Sequence, residues 1–264
     1  MSTPVICAYA RTPFGRFRGA LANYTAVELG TLAVEGVLER AGIDPHSGII
    51  DQVYMGQVLQ AGAGQAPARQ VAIAAGLPYS TPCTTINKVC GSSLKAVMVA
   101  ATEIMAGKSN AVIAGGMESM SQAPHFIRGA RRGDEISFAE LTGILSHDGL
   151  KDAYDGSMMG ITGETIAKEA DISRSESDKY ALRSHTLSDS AWEKGWLEEE
   201  VVSIDELERD EGIRIDTSIE DLAGLRTVFK DDGQVTAGNA SQVSDGGSAV
   251  LIASEEIANE NGWP

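Results

Sequence analysis

The sequence predicts an α/β fold: a mostly parallel sheet covered by helices, interrupted by a long insertion and then completed. Three observations carry this. Short apolar runs alternate with helix-periodic segments from Pro4 to Gly116, the alternation then lapses, and an apolar run returns at Ser248 to Ala253. With 264 residues, 43% of them hydrophobic, the chain can bury a sizeable core.

Taken in order, Pro4 to Ala8 is an apolar run ending in Arg11-Thr12-Pro13-Phe14-Gly15, which reads as a buried strand entering a turn-rich loop. Thr25-Ala26-Val27-Glu28 is a capping box. Behind it Leu29, Leu32, Ala33, Gly36 and Val37 repeat on one helical face until Gly42. Ile50 to Val58 reads as a second strand, Ala66 to Ala75 as a helix of small residues, and Thr81 to Lys88 as a third strand. A strong helix is expected from Cys90, since Leu94, Val97, Met98, Ala101, Ile104 and Met105 keep helical spacing and Gly107 closes it. Asn110 to Ala114 reads as a fourth strand ending in Gly115-Gly116.

Residues 121–233 are charge-rich and irregular, with a Gly156-Ser157-Met158-Met159-Gly160 loop. One helix is well marked there, from the capping box Ser173-Arg174-Ser175-Glu176 to about Trp192. Ser254 to Glu260 reads as a short final helix. The expected division is therefore a core of 1–120 and 234–264 with an inserted loop domain at 121–233.

Subtracting 21 basic from 37 acidic residues leaves a net charge of -16, which opposes binding to nucleic acid or an anionic membrane. No apolar run is long enough for a membrane span, and the N-terminus lacks the pattern of a signal peptide, so a soluble, cytoplasmic protein is expected. Cys7, Cys83 and Cys90 are too few and too scattered for a disulfide framework, and no Cys/His cluster has metal-ligand spacing. Gly62-Ala63-Gly64-Gln65 lacks the Lys-Ser/Thr of a P-loop, and no Gly-x-Gly-x-x-Gly follows the first strand.

Cys90 is the candidate nucleophile. A thiol at the junction of a strand end and a helix start meets backbone N–H groups carrying partial positive charge, and the thiolate is the attacking form. Gly91 leaves room for a substrate to approach the backbone. On pattern alone, a small buried core cysteine is the competing reading.

The stretch Asn87-Lys88-Val89-Cys90-Gly91-Ser92-Ser93 resembles the segment in which the thiolase family carries its acyl-accepting cysteine. Cys83-Thr84-Thr85-Ile86 before it and Gly115-Gly116-Met117-Glu118-Ser119 after it match the same family. So do Ala10 to Gly15, Gly160-Ile161-Thr162 and Thr236-Ala237-Gly238-Asn239-Ala240-Ser241, in family order over essentially the whole chain. The resemblance implies a thiolase-like N-terminal α/β layered domain and acyl transfer from acyl-coenzyme A through an acyl-Cys90 intermediate. It also implies coenzyme A contacts: Ser241 and Ala237 along the pantetheine arm, Leu150 and Met159 as apolar walls, Phe229 near the middle of the molecule and Arg214 near its nucleotide end. Coenzyme A is implied as a substrate, with no permanently bound cofactor. The expected partners are a second copy of the chain, as dimer or tetramer, and a separate C-terminal thiolase half. Gly64-Gln65-Ala66-Pro67-Ala68-Arg69 and the strand before Cys90 resemble the region that pairs subunits.

Two features of the family are not found here. A complete thiolase has a second half carrying a His that activates the nucleophile and a Cys that moves the substrate proton. No Cys follows Cys90, and His46, His125, His147 and His185 lie in no matching motif and read as surface or loop histidines. A missing acid or base is typically worth about 10²- to 10⁴-fold, so the chain alone is expected to be a poor catalyst. The alternative is a coenzyme A-binding or dimerising domain without chemistry. Met158 stands where some biosynthetic members carry His, which bears on substrate preference.

Overall fold

The structure, a computed structural model, describes residues 2–129, 133, 137, 140–204 and 206–264. Strand β1 (Pro4–Arg11) and the short β2 (Gly15–Arg16) precede helix α1 (Ala26–Arg40). The Thr25 side chain accepts from the Glu28 N–H while the Glu28 carboxylate accepts from the Thr25 N–H, so the capping box forms as the sequence requires. Then come β3 (Gln52–Gly56), α2 (Pro67–Ala74), β4 (Cys83–Ile86), α3 (Ser92–Met105) and β5 (Ala111–Ser119). Strands β3 and β4 are shorter than their apolar runs, whereas β1 continues past Ala8 to Arg11 and β5 through Gly115-Gly116 to Ser119.

The main sheet has the order β1-β8-β5-β3-β4, with β2 beside β8 (Ser244–Ser254). Strand β3 pairs in parallel with β4 and β5, but β8 is antiparallel to both β1 and β5. The cause is where the chain re-enters: Ser119 at the end of β5 sits opposite Asp245 at the start of β8. The chain leaves and returns at one end of the sheet, and the return strand must run backwards. The whole insertion therefore springs from the sheet end where β3, β4 and β5 finish.

Side chains alternate across the sheet with the period of two that strands impose. Val53, Met55, Ile113 and Leu251 face α1 and α2, where Val34, Val37, Val71 and Ala72 are fully buried. Tyr54, Val112, Ala114 and Ile252 face Ala96, Ala100 and Ile104 of α3. Each large apolar side chain so buried contributes about 1.5–3 kcal/mol before entropy. The result is a sheet with helices on both faces. The outer face of α3 is uncovered in this chain: Leu94, Met98 and Met105 are exposed.

The insertion holds a two-residue hairpin of β6 (His125–Phe126) and β7 (Thr142–Gly143), a π-helical turn Leu145–Leu150, and helices α4 (Met159–Glu169), α5 (Arg174–Glu193) and α6 (Ile219–Ala223). Helix α5 starts at its capping box, whereas α4, read from the sequence as a loop, begins at Met159 without a side-chain cap. Arg11 fastens the insertion to β1: its guanidinium binds Asp210 with two hydrogen bonds and Glu200 with a third, 2.7–3.1 Å long. Buried Asp178 of α5 takes Arg174 on one oxygen and the Asn239 amide on the other. Helix α7 (Glu255–Asn261) closes the fold, capped by Ser254.

Among the described residues, no helix is long and apolar enough to cross a membrane, and no group of three or more His, Cys, Asp or Glu side chains is placed to hold a metal ion.

Candidate active site

At the carboxyl ends of β3 and β5 lies an open cavity of about 350 Å³, lined by residues that include Cys90, Ser92, Ser93, Gln57, Glu118 and Leu150. The carboxyl ends of parallel strands are where open α/β sheets bind ligands, because the loops and helix starts converge there. Cys90 is exposed to it, unlike Cys7, which is buried.

The sequence led us to expect a helix beginning at Cys90, but α3 begins at Ser92 with Gly91 as its cap residue. Val89 explains the delay. Its φ is +49°, a left-handed conformation that is costly for a β-branched residue, about 1–3 kcal/mol, and incompatible with helix. Cys90 thus stands on a tight, strained turn one residue ahead of the helix cap. Ser92 holds that turn: its Oγ donates to the Val89 carbonyl at 2.6 Å and accepts from the Lys88 N–H at 2.8 Å. The N–H groups of Gly91 and Ser92 close it onto the Lys88 and Val89 carbonyls. Gly91 gives α3 no side-chain cap, so the first turn of the helix, with its positive dipole end, faces the Cys90 side.

Two glycines let the helix start come so close to the sheet. A Cβ on Gly56 would lie 2.6 Å from the Ser93 nitrogen, and one on Gly116 would fall within the Ser93 side chain. Beside them, Glu118 accepts from the N–H groups of Val58 (2.8 Å) and Leu59 (3.2 Å). Burial pushes its carboxyl above the usual carboxylate range, and these two donors oppose the rise. Gln57 is buried, with its amide nitrogen on the Leu59 carbonyl, and its Oε1 is the one buried side-chain oxygen among the described residues with no hydrogen-bond partner. Neither Gln57 nor Glu118 had been singled out from the sequence. A carboxylate inside the apolar, glycine-paired end of β5 was the available signal.

The remaining expected site residues are placed as follows. Leu150 lines the same cavity as Cys90. Met159 lines a second cavity, about 420 Å³, between α4, α5 and residues 234–239. The Phe229 ring lies against Gly160, over the first turn of α4. Ala237 and Ser241 are exposed in the loop that runs to β8, which Glu164 and Asn239 fix to α4 and α5. Arg214 is exposed, and its backbone N–H meets His185 Nδ1 at 3.3 Å. Burial, and then the Arg214 charge, push the His185 imidazole below its usual range. His46, His125 and His147 are exposed, and no histidine lines the Cys90 cavity among the described residues.

Comparison with known proteins fits this geometry. The family described as "Thiolase, N-terminal domain" matches residues 4–256. An acetyl-CoA acetyltransferase of Cupriavidus necator is 45% identical over 99% of this chain and 68% of its own length. A probable acetyl-CoA acetyltransferase of Escherichia coli is 44% identical over 100% of this chain and 69% of its own. A thiolase from Ascaris suum, solved in complex with coenzyme A, superposes with a TM-score of 0.92 at 36% identity, covering 99% of this chain and 68% of that one. An acetyl-CoA acetyltransferase of Bacillus anthracis gives 0.93 at 38%, with 100% and 68% covered.

Proposed function

Because the chain belongs to the thiolase family, we propose that it is an acetyl-CoA C-acyltransferase of the thiolase type, moving acyl groups from acyl-coenzyme A through a thioester on Cys90. The observation that carries this reading is the Cys90 thiol, exposed on a strained turn at the start of α3 beside a cavity at the sheet's carboxyl end.

In the acylation step the Cys90 sulfur attacks the thioester carbonyl and its new C–S bond replaces the one to coenzyme A. The thiol proton ends on the departing coenzyme A sulfur. The first-turn N–H groups of α3 supply positive potential on the side where negative charge develops. Acyl-Cys90 then passes its group to coenzyme A or to the α-carbon of a second acetyl-CoA. Coenzyme A enters and leaves as substrate.

Its contacts are assigned to Ser241 and Ala237 on the pantetheine arm, Leu150 and Met159 as walls, Phe229 at the middle and Arg214 at the nucleotide end. In support, a relative of the same fold has been solved with coenzyme A, and Leu150 shares the Cys90 cavity. The core is assigned to 1–120 and 234–264, with 121–233 as the coenzyme A-contacting insertion.

The chain spans about two thirds of the length of the relatives it matches. The later steps require a base and a second thiol, which we assign to a further thiolase segment. The exposed Leu94, Met98 and Met105 of α3 are the apolar surface suited to receive it. Strand β4 is the edge of the sheet, and its free side favours pairing with a second copy, as dimer or tetramer. A cytoplasmic location is part of the proposal, as are fatty acid metabolism as the setting and the lack of nucleic-acid and membrane partners, for which the charge of -16 argues. The competing reading, a coenzyme A-binding or dimerising domain without chemistry, draws on the lack of a histidine lining the cavity among the described residues.

The test is coenzyme A release. Acetyl-CoA mixed with the protein should liberate about one free coenzyme A thiol per chain. A Cys90→Ser variant should liberate none, and equal release from both would contradict the reading.

A further inference from the structure

We propose that Asn87 and Glu118 are positioning residues for Cys90, linked to each other through the peptide groups of Val58. The inference rests on Cys90 being the acyl acceptor.

The relay is continuous. The Val89 N–H donates to Asn87 Oδ1 at 3.0 Å, and Asn87 Nδ2 donates to the Val58 carbonyl at 3.3 Å. The Val58 N–H donates to Glu118 Oε2 at 2.8 Å, and the Leu59 N–H to Oε1 at 3.2 Å. Asn87 thus receives the N–H of the one residue of the turn held in left-handed backbone. A strained Val89 persists only if its surroundings over-determine it, and this relay, with Ser92 on the other side, does so.

Glu118 anchors the far end. It sits on β5 two residues past Gly116, which pairs with Gly56 in β3, and it clamps the loop that follows β3 with both carboxylate oxygens. Hydrogen bonds to an ionised acceptor are the strong kind, so the loop is fixed at Val58 and offers its carbonyl to Asn87 in a constant place. Asn is needed at 87 because the position must accept from Val89 and donate to Val58 with one side chain. Aspartate would accept only.

The experiment measures the alkylation rate of Cys90 by iodoacetamide, resolved by peptide mapping so that Cys7 and Cys83 do not contribute. The proteins are wild type, Asn87→Ala, Glu118→Gln and the double variant, each checked by its melting temperature. We expect each single change to slow Cys90 by roughly tenfold, and the double to be no slower than the worse single, because members of one chain are not additive. Asn87→Asp keeps the acceptor for Val89 and loses the donor to Val58. It should slow Cys90 by about as much as Glu118→Gln does alone, roughly tenfold, and Glu118→Gln added to it should do nothing more. The proposal is overturned if the single effects multiply, or if melting temperatures fall while Cys90 keeps its rate. A wild-type Cys90 that alkylates but takes no acetyl group from acetyl-CoA would count against the acyl-transfer reading alone, and the alkylation series would still decide the relay.

Discussion

Gly116 of β5 lies directly under Ser93 of α3, so near that any side chain at 116 would occupy the space of the Ser93 side chain. This contact sets the height of the α3 start above the sheet, and with it the place of Cys90 two residues earlier.

Gly116→Ala should therefore destabilise the protein by about 1–3 kcal/mol through overpacking. Gly56→Ala should do so at least as strongly, since the collision there is with the Ser93 backbone. Gly107→Ala meets nothing within 4 Å and bears only the cost of its positive φ, about 1 kcal/mol. Urea unfolding of the three variants checks the order.

Arg11 joins β1 to the insertion with a forked contact to Asp210, whose carboxylate also receives the Phe14 N–H and the Trp192 indole. Arg11→Ala should cost about 2–3 kcal/mol, because the half-buried Asp210 loses its counter-charge. Arg11→Lys should recover only part, lacking the planar fork. Limited proteolysis should cut within 121–233 sooner in Arg11→Ala than in wild type.

The first turns of α5 and α6 should loosen in acid. Ser173 holds Glu176, and Ser218 holds Asp221, below the usual carboxylate range by donating side-chain and backbone hydrogen bonds to them. With the folded pKa below the unfolded one, the unfolded chain binds the proton first. This stabilisation is full above the unfolded values of about 3.9–4.3 and is lost as pH falls through the folded ones. Amide protection in the first turn of α5, corrected for intrinsic exchange, should drop over that range, and Glu176→Gln should flatten the drop.

What the sequence made legible was local. The capping boxes at Thr25 and Ser173 mark helix starts because donor, acceptor and spacing all lie within four residues. The uncapped start of α4 at Met159, with Gly160 and Gly163 inside the helix, left no such mark. The reversed direction of β8 depends on Ser119 meeting Asp245, a pairing across the insertion that no local pattern encodes. At the site, the motif around Cys90 located the thiol, but the left-handed Val89 that ends the turn is a residue type that argues against that conformation. Glu118 was hidden because its partners are backbone groups of another strand's loop. The residues proposed to contact coenzyme A were assigned through family resemblance alone, since Arg214, Ala237 and Ser241 are exposed loop residues with no local pattern of their own.

The most direct test of the account is the mass of the intact protein after incubation with acetyl-CoA, followed by peptide mapping. The account predicts a gain of one acetyl group, carried by the peptide that contains Cys90 and absent from Cys90→Ser. An acetyl group on Cys7 or Cys83, or a gain that survives Cys90→Ser, would contradict it.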